Sequence, residues 1–171
     1  AGNVHVAWHD DTDLECGTDR DIFYKRYEVG VDWTPVEVVS NESNADSWYP
    51  SLAVDSNRNV YIAWDDRPVS NWTVFYKRYE LVKADWTRTQ VVSIESTENS
   101  WGASLAVDSS RNVHIAWHDV TDYAGCGSDA DIFYKYLCLH STTYPWPMFH
   151  HNPRHTGYTE SPAPNTNKTQ W

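Results

Sequence analysis

"SWYPSLAVDSNRNVYIAWDDRPVSNWTVFYKRYELVKADWTRTQVVS", Ser47 to Ser93, holds the pattern on which the whole chain is built. It divides into four short runs separated by turn residues. "SLAVD" is small and apolar, and "NVYIAW" is β-branched and aromatic. "TVFYKRYE" alternates aromatic with charged residues, and "WTRTQVVS" ends the stretch. β-branched and aromatic residues suit a pleated, half-buried surface. "DSNRN" between the first two runs is rich in residues that favour tight turns. No stretch has the period of an amphipathic helix, so the reading is four strands joined by turns.

The same pattern occurs on both sides. "NVHVAWHDDTDLECGTDRDIFYKRYE" runs from Asn3 to Glu28, and "NVHIAWHDVTDYAGCGSDADIFYKYLC" from Asn112 to Cys138. Trp8, Trp64 and Trp117 recur at intervals of 56 and 53 residues. Trp33 and Trp86 are 53 apart, as are Trp48 and Trp101. The units are 1–46, 47–99 and 100–143. The first begins at its second strand, and the last stops after its third.

A four-stranded unit of this length is the signature of a propeller blade. Both faces of each strand are apolar: Val4, Val6 and Trp8 point one way and Ala7 the other. A single sheet leaves one face wet, whereas stacked sheets shield each other. The expected fold is all-β, a partial β-propeller of four-stranded antiparallel blades with an irregular C-terminal tail. Closed propellers typically have about four to eight blades. The remaining blades are expected from upstream in a longer protein, or from other copies of the chain. Two copies could close a six-bladed ring, and open strand edges could extend a fibre.

The net charge is −11, which argues against a phosphate-backbone partner, so no nucleic acid is expected. No apolar run approaches the roughly 20 residues of a membrane-spanning helix. Three sequons, at Asn41, Asn71 and Asn167, point to an exported glycoprotein, extracellular or at a cell surface. Cys16, Cys126 and Cys138 are disulfide candidates without an obvious pairing. Cys16 and Cys126 sit in equivalent loops of non-adjacent units, and bridged Cα atoms lie within about 7 Å. Cys138 ends a strand that would hold it about 20 Å from the Cys126 loop. The middle unit has a shorter loop with a sequon in place of the cysteine.

The pattern "PSLAVDSxRNVxIAWxD…DIFYKR…W" resembles the blades of sialidase-like (BNR-type) repeat propellers of secreted bacterial and archaeal proteins. "YEVGVDW", Tyr27 to Trp33, looks like a worn Asp-box: it keeps Gly30 and Trp33 but lacks the serine and the framing aspartate. The segment from Tyr144 to Trp171, "YPWPMFHHNPRHTGYTESPAPNTNKTQW", resembles the lead-in of a PQQ-type repeat propeller. On that resemblance the chain is an interior piece of a multi-propeller protein, with 144–171 a linker into the next domain.

On a propeller frame, one end collects the loops between strands two and three and those leading into strand one. Sixteen of the chain's 24 carboxylates fall there. Calcium takes oxygen ligands, so Asp10, Asp13, Asp19, Asp21, Asp119, Asp122, Asp129 and Asp131 are the candidate ligands for a possible Ca²⁺. Trp48 and Trp101 open strand one, where an indole could stack on a sugar ring or wedge between blades. His5, His9, His114 and His118 recur with the units, but the middle unit has Tyr61 and Asp65 there, which favours structural roles. The resemblance implies an arginine triad and a Tyr–Glu pair for sialidase catalysis. Arg58 and Arg111 fall in the opposite turns, and Arg20 and Arg67 form no such triad, so no catalytic residue is assigned. The expected function is a non-catalytic extracellular scaffold, adhesion or surface-assembly module, with filament formation one form of that assembly. The alternative is a glycan-binding or glycoside-processing domain.

Overall fold

A computed structural model describes residues 2–14, 17–125 and 127–138. Their regular structure is entirely β-strand, in three antiparallel sheets. The first sheet contains β1 (Val4–Asp10), β2 (Asp21–Glu28) and two short pieces, β3 (Asp32–Trp33) and β4 (Glu37–Val38). The second contains β5 (Ser47–Val54), β6 (Val60–Asp66), β7 (Thr73–Glu80), β8 (Asp85–Trp86) and β9 (Gln90–Val91). The third contains β10 (Ser100–Val107), β11 (Val113–Asp119) and β12 (Asp131–Leu137). No helix among these residues is long and apolar enough to cross a membrane.

The central hairpins superpose in register. Trp8 pairs with Phe23, Trp64 with Phe75 and Trp117 with Phe133. Two details differ from the sequence expectation. The run ending each unit is split, so that β3 and β4 both pair with β2, and β8 and β9 both pair with β7. In the first sheet Pro35, which has no N–H to donate, lies in the break. The opening strand also begins earlier, at Ser47 and Ser100, because a bulge absorbs one residue between Trp48 and Ser51 and between Trp101 and Ser104. The bulges contain Tyr49 (φ 52°) and Gly102 (φ 68°).

The "DSxRN" turns are built alike. Asp55 Oδ1 accepts from the amides of Asn57 and Asn59 at 2.8 and 2.9 Å, and its Oδ2 accepts from Tyr61 Oη at 2.8 Å. Asp108 holds Asn112 through both its amide and its side chain. Arg58 and Arg111, each at φ 65°, occupy the left-handed position of these turns.

The sheets pack through their opening strands: β5 lies on β1 and β2, and β10 lies on β5, β6 and β7. Alternation along β6 sorts its side chains between two cores. Val60, Ile62 and Trp64 join Ile22, Tyr24 and Val39 of the first sheet. Tyr61 and Ala63 join Leu105, Val113, Ile115 and Trp117 of the third. Every residue of β6 is buried.

Candidate functional site

The two sets of loops assigned to the acidic end do meet. Ser47 donates its amide to the Arg20 carbonyl at 2.7 Å, and Arg20 donates its own amide to Asp46 Oδ1 at 3.0 Å. One unit later, Ser100 donates to Trp72 O at 2.8 Å and Trp72 to Asn99 Oδ1 at 2.9 Å. Each opening strand is thereby tied to the loop before strand three of the preceding sheet.

The candidate calcium ligands are distributed through these loops. Asp10 Oδ1 accepts from the amide and hydroxyl of Thr12. Asp21 is buried and accepts from Ser40 Oγ at 2.6 Å. Asp119 is fully buried: its oxygens accept from Ser96, Ser100 Oγ at 2.7 Å, Trp117 Nε1 at 2.9 Å and the Thr121 amide at 2.9 Å. Burial pushes its carboxyl up, and these donors together outweigh burial and hold it below the usual carboxylate range. Asp122 accepts from the Gly127 amide. Asp19 and Asp129 sit against the positive-φ glycines Gly17 and Gly127 of equivalent loops. Asp13 is exposed and Asp131 half-buried. Among the described residues, no three His, Cys, Asp or Glu side chains converge on a point that could hold a metal ion.

Trp48 and Trp101 stand at the start of β5 and β10. The Arg20 guanidinium lies 3.8 Å from the centre of the Trp48 ring, a cation–π contact, and Asp11 holds that guanidinium from the side at 2.8 Å. His9, Tyr49 and Trp72 surround the same indole. Trp101 stacks on His118 with ring centres 5.9 Å apart. Each indole therefore has a face covered by a neighbouring polar group. Arg67 lies over Trp72, whose ring centre is 6.5 Å from that of Trp48, and Arg20 pairs with Asp11.

The sequence reading missed the polar groups that join one sheet to the next. Lys77, only 2% exposed, donates from Nζ to the Val39 carbonyl at 3.0 Å and to Asn41 Oδ1 at 2.7 Å. Lys135, 3% exposed, donates to the Val92 carbonyl at 2.6 Å and to the Glu95 carboxylate. Burial lowers the pKa of both lysines. Asp65, buried with its pKa raised by desolvation, accepts from the Gly102 amide at 2.7 Å and the Ala103 amide at 3.3 Å, which fixes the bulge of β10 against β6. His9 occupies the equivalent place one sheet earlier, its Nδ1 3.4 Å from the Tyr49 amide. The available signal was the lysine in "FYK", a charge repeated in the register of buried aromatics.

Asn41 is exposed, and its side-chain oxygen serves Lys77. Asn71 Nδ2, the nitrogen that would carry a glycan, donates to the Thr97 carbonyl at 3.0 Å. Cys138 is half-buried and unbridged. Cys16, Cys126, Asn167 and the segment 144–171 lie outside the described residues.

Comparison with protein-family models, with curated proteins and with solved structures finds no match. The functional reading therefore rests on geometry.

Proposed function

We propose that this chain is a run of blades from a sialidase-like repeat propeller, with a non-catalytic scaffolding, adhesion or surface-assembly role outside the cell. The observation carrying the reading is the state of the two outer faces. Val4 and Val6 are 51% and 41% exposed, whereas their counterparts Val60 and Ile62 are 1% and 0% exposed against the first sheet. Ile132 and Tyr134 are 66% and 38% exposed, whereas Val74 and Tyr76 are 0% and 1% exposed against the third. Each outer face thus repeats, residue for residue, a face that is buried inside the stack. Fully burying a side chain of the valine or isoleucine class favours association by about 1.5–3 kcal/mol. The partners that fit are further sheets of this repeat, in the same polypeptide or in another copy.

One observation supports scaffold over glycan processing: Trp48 and Trp101 are each engaged on one face. The deciding measurement is the native mass of the protein as its cell makes it. A particle well above 19.8 kDa is expected, by extension of the chain or by assembly. A stable monomer of that mass would overturn the reading. Turnover of a fluorogenic sialoside would overturn the non-catalytic part alone.

A further inference from the structure

We propose that the seam between the first and second sheets carries an open socket for a peptide turn of a partner protein, one that presents a hydroxyl residue and, two places on, an aromatic ring. The socket is a cavity of about 350 Å³, lined by Asn44 and Ala45 from the first unit and by Trp64, Asp66, Pro68 and Phe75 of the second. At the seam between the second and third sheets the chain fills the equivalent place itself. There Thr121, which is buried, donates its amide to Asp119 Oδ1 at 2.9 Å, and its Oγ1 accepts from the amides of Thr97 and Glu98 at 3.0 and 3.3 Å. Tyr123 sets its ring edge-on to Phe133, with centres 5.9 Å apart. The repeat gives the correspondence. Asp10, Asp66 and Asp119 each end the second strand of their unit, and Trp64 pairs with Phe75 as Trp117 does with Phe133. Two residues after these aspartates stand Thr12, Pro68 and Thr121. Thr12 also donates its amide to its aspartate, at 2.9 Å. Pro68 has no N–H to give. Asn44 and Ala45 hold the places of Thr97 and Glu98, 53 residues earlier. The shorter middle loop contributes only Pro68 to the lining.

The walls of the socket lack the bonds that the filled site makes. Asp66 accepts from Ser47 Oγ at 3.0 Å, as Asp119 does from Ser100. Ser43, however, turns its hydroxyl to the Ala45 carbonyl at 3.2 Å, whereas its counterpart Ser96 donates to Asp119. Asp66 is 1% exposed, and its Oδ1 is buried without a hydrogen bond. Trp64 Nε1 and Thr89 Oγ1, in the same lining, are also buried and unpaired. Ser43, Trp64 and the Arg67 amide stand near the Asp66 carboxyl without completing a hydrogen bond to Oδ1. Buried polar atoms are nearly always paired, so three unpaired ones around one cavity point to a partner that is brought in. Phe75 supplies the wall that Phe133 offers to Tyr123. Glu42 also lines the cavity, but it accepts from the Thr89 amide at 2.9 Å and lies 3.8 Å from Lys77 Nζ. No basic side chain lines the socket, so with Asp66 and Glu42 in its walls it favours a turn that is not itself acidic.

The test is titration of the chain with the peptide acetyl-Val-Thr-Asn-Tyr-Ala-amide, which is the 120–124 turn with its exposed aspartate made neutral. Backbone amide and indole NMR signals follow the binding. Saturable shifts are expected at 42–45, at Arg67 and at the Trp64 indole N–H. Two control peptides separate the contacts. One is N-methylated at its threonine and has no donor for Asp66, and the other has alanine in place of tyrosine. Each should bind more weakly by about fivefold or more, the worth of one such contact. In the protein, Ala45→Phe fills the socket from its loop and should abolish the response. Pro68→Thr gives the chain a donor of its own for Asp66 and should weaken binding, with little demand on the core. Shifts no larger than those with the control peptides, or a response unchanged in either folded variant, would overturn the proposal and leave a cavity that holds water alone. Neither result bears on the native mass that tests the scaffold reading.

Discussion

Lys77 and Val39, 38 residues apart in sequence, meet across the first seam, where the lysine Nζ donates to the valine carbonyl at 3.0 Å. Lys135 and Val92 repeat the relationship at the next seam. The third lysine of the series, Lys25, has no preceding sheet among the described residues and sits 5.7 Å from the centre of the Trp33 ring. A side chain that welds two seams therefore lies half-buried on an outer face.

Lys77→Ala should lower stability by about 2–4 kcal/mol, because it removes the buried stem and leaves the seam acceptors unsatisfied. Lys77→Met keeps most of the stem and should cost about 1–2 kcal/mol, the share of the lost hydrogen bonds. Lys25→Met should change stability by less than about 0.5 kcal/mol in the isolated chain. Urea unfolding of the three variants checks the order, and equal losses at positions 25 and 77 would contradict it.

Two buried aspartates should respond in different ways to amidation. Asp119 accepts from four donors, so Asp119→Asn turns an NH₂ toward donors and should cost about 2–3 kcal/mol. Asp65 faces two backbone amides, one at 3.3 Å, and its charge is held in a desolvated place. An asparagine oxygen can keep the Gly102 amide, so Asp65→Asn should fall within about 1 kcal/mol of the parent. Thermal melts of both variants at neutral pH make the comparison.

Alkaline pH should weaken the fold in a defined window. Burial pushes the Tyr24 phenol up to about 12 and raises Tyr61 and Tyr76 as well, from an ordinary value of 10.0. The unfolded chain loses these protons first, so their contribution is complete below pH 10 and is lost as pH rises through the folded values. Lys77 and Lys135 act in the other direction. Their folded pKa values lie below 10.5, so the unfolded chain holds the extra proton and stability rises with pH up to that point. The melting temperature should hold or rise toward pH 10 and then fall toward pH 12. Tyrosinate absorbance from the buried phenols should appear together with unfolding.

Gly102→Ala should cost about 1–2 kcal/mol, from left-handed backbone and from a Cβ placed 3.0 Å from His118 Nδ1. The cost should fall in His118→Ala, where only the backbone part remains. A double-mutant cycle measures the difference.

The strand order and the two-faced burial of β6 were readable because the "AW" and "FYK" runs repeat with alternating polarity. The "DSxRN" turns were readable from Asp, Ser and Asn. The split outer strand was not, since "WTPVEVVS" and "WTRTQVVS" keep β-type residues across the break and pairing with β2 and β7 decides where it falls. Nor was the use of Lys77 and Lys135. A lysine between aromatics reads as a solvent-facing charge until a second sheet supplies the carbonyl that it meets. The loops before strand one and before strand three, grouped in the sequence reading, meet at the Arg20–Asp46 and Trp72–Asn99 junctions. However, Asp21 and Asp119 turn inward to Ser40 and to Ser96 and Ser100, partners that only the fold brings near.

β6 is walled in on both sides, whereas β1 and β12 each keep one wet face. Solvent deuterium should reach its amides last, through concerted opening of two seams, and reach the outer hairpins by fraying of one. The middle hairpin is then the piece that persists longest when the ends loosen, and the nucleus around which added sheets could lock without disturbing its register.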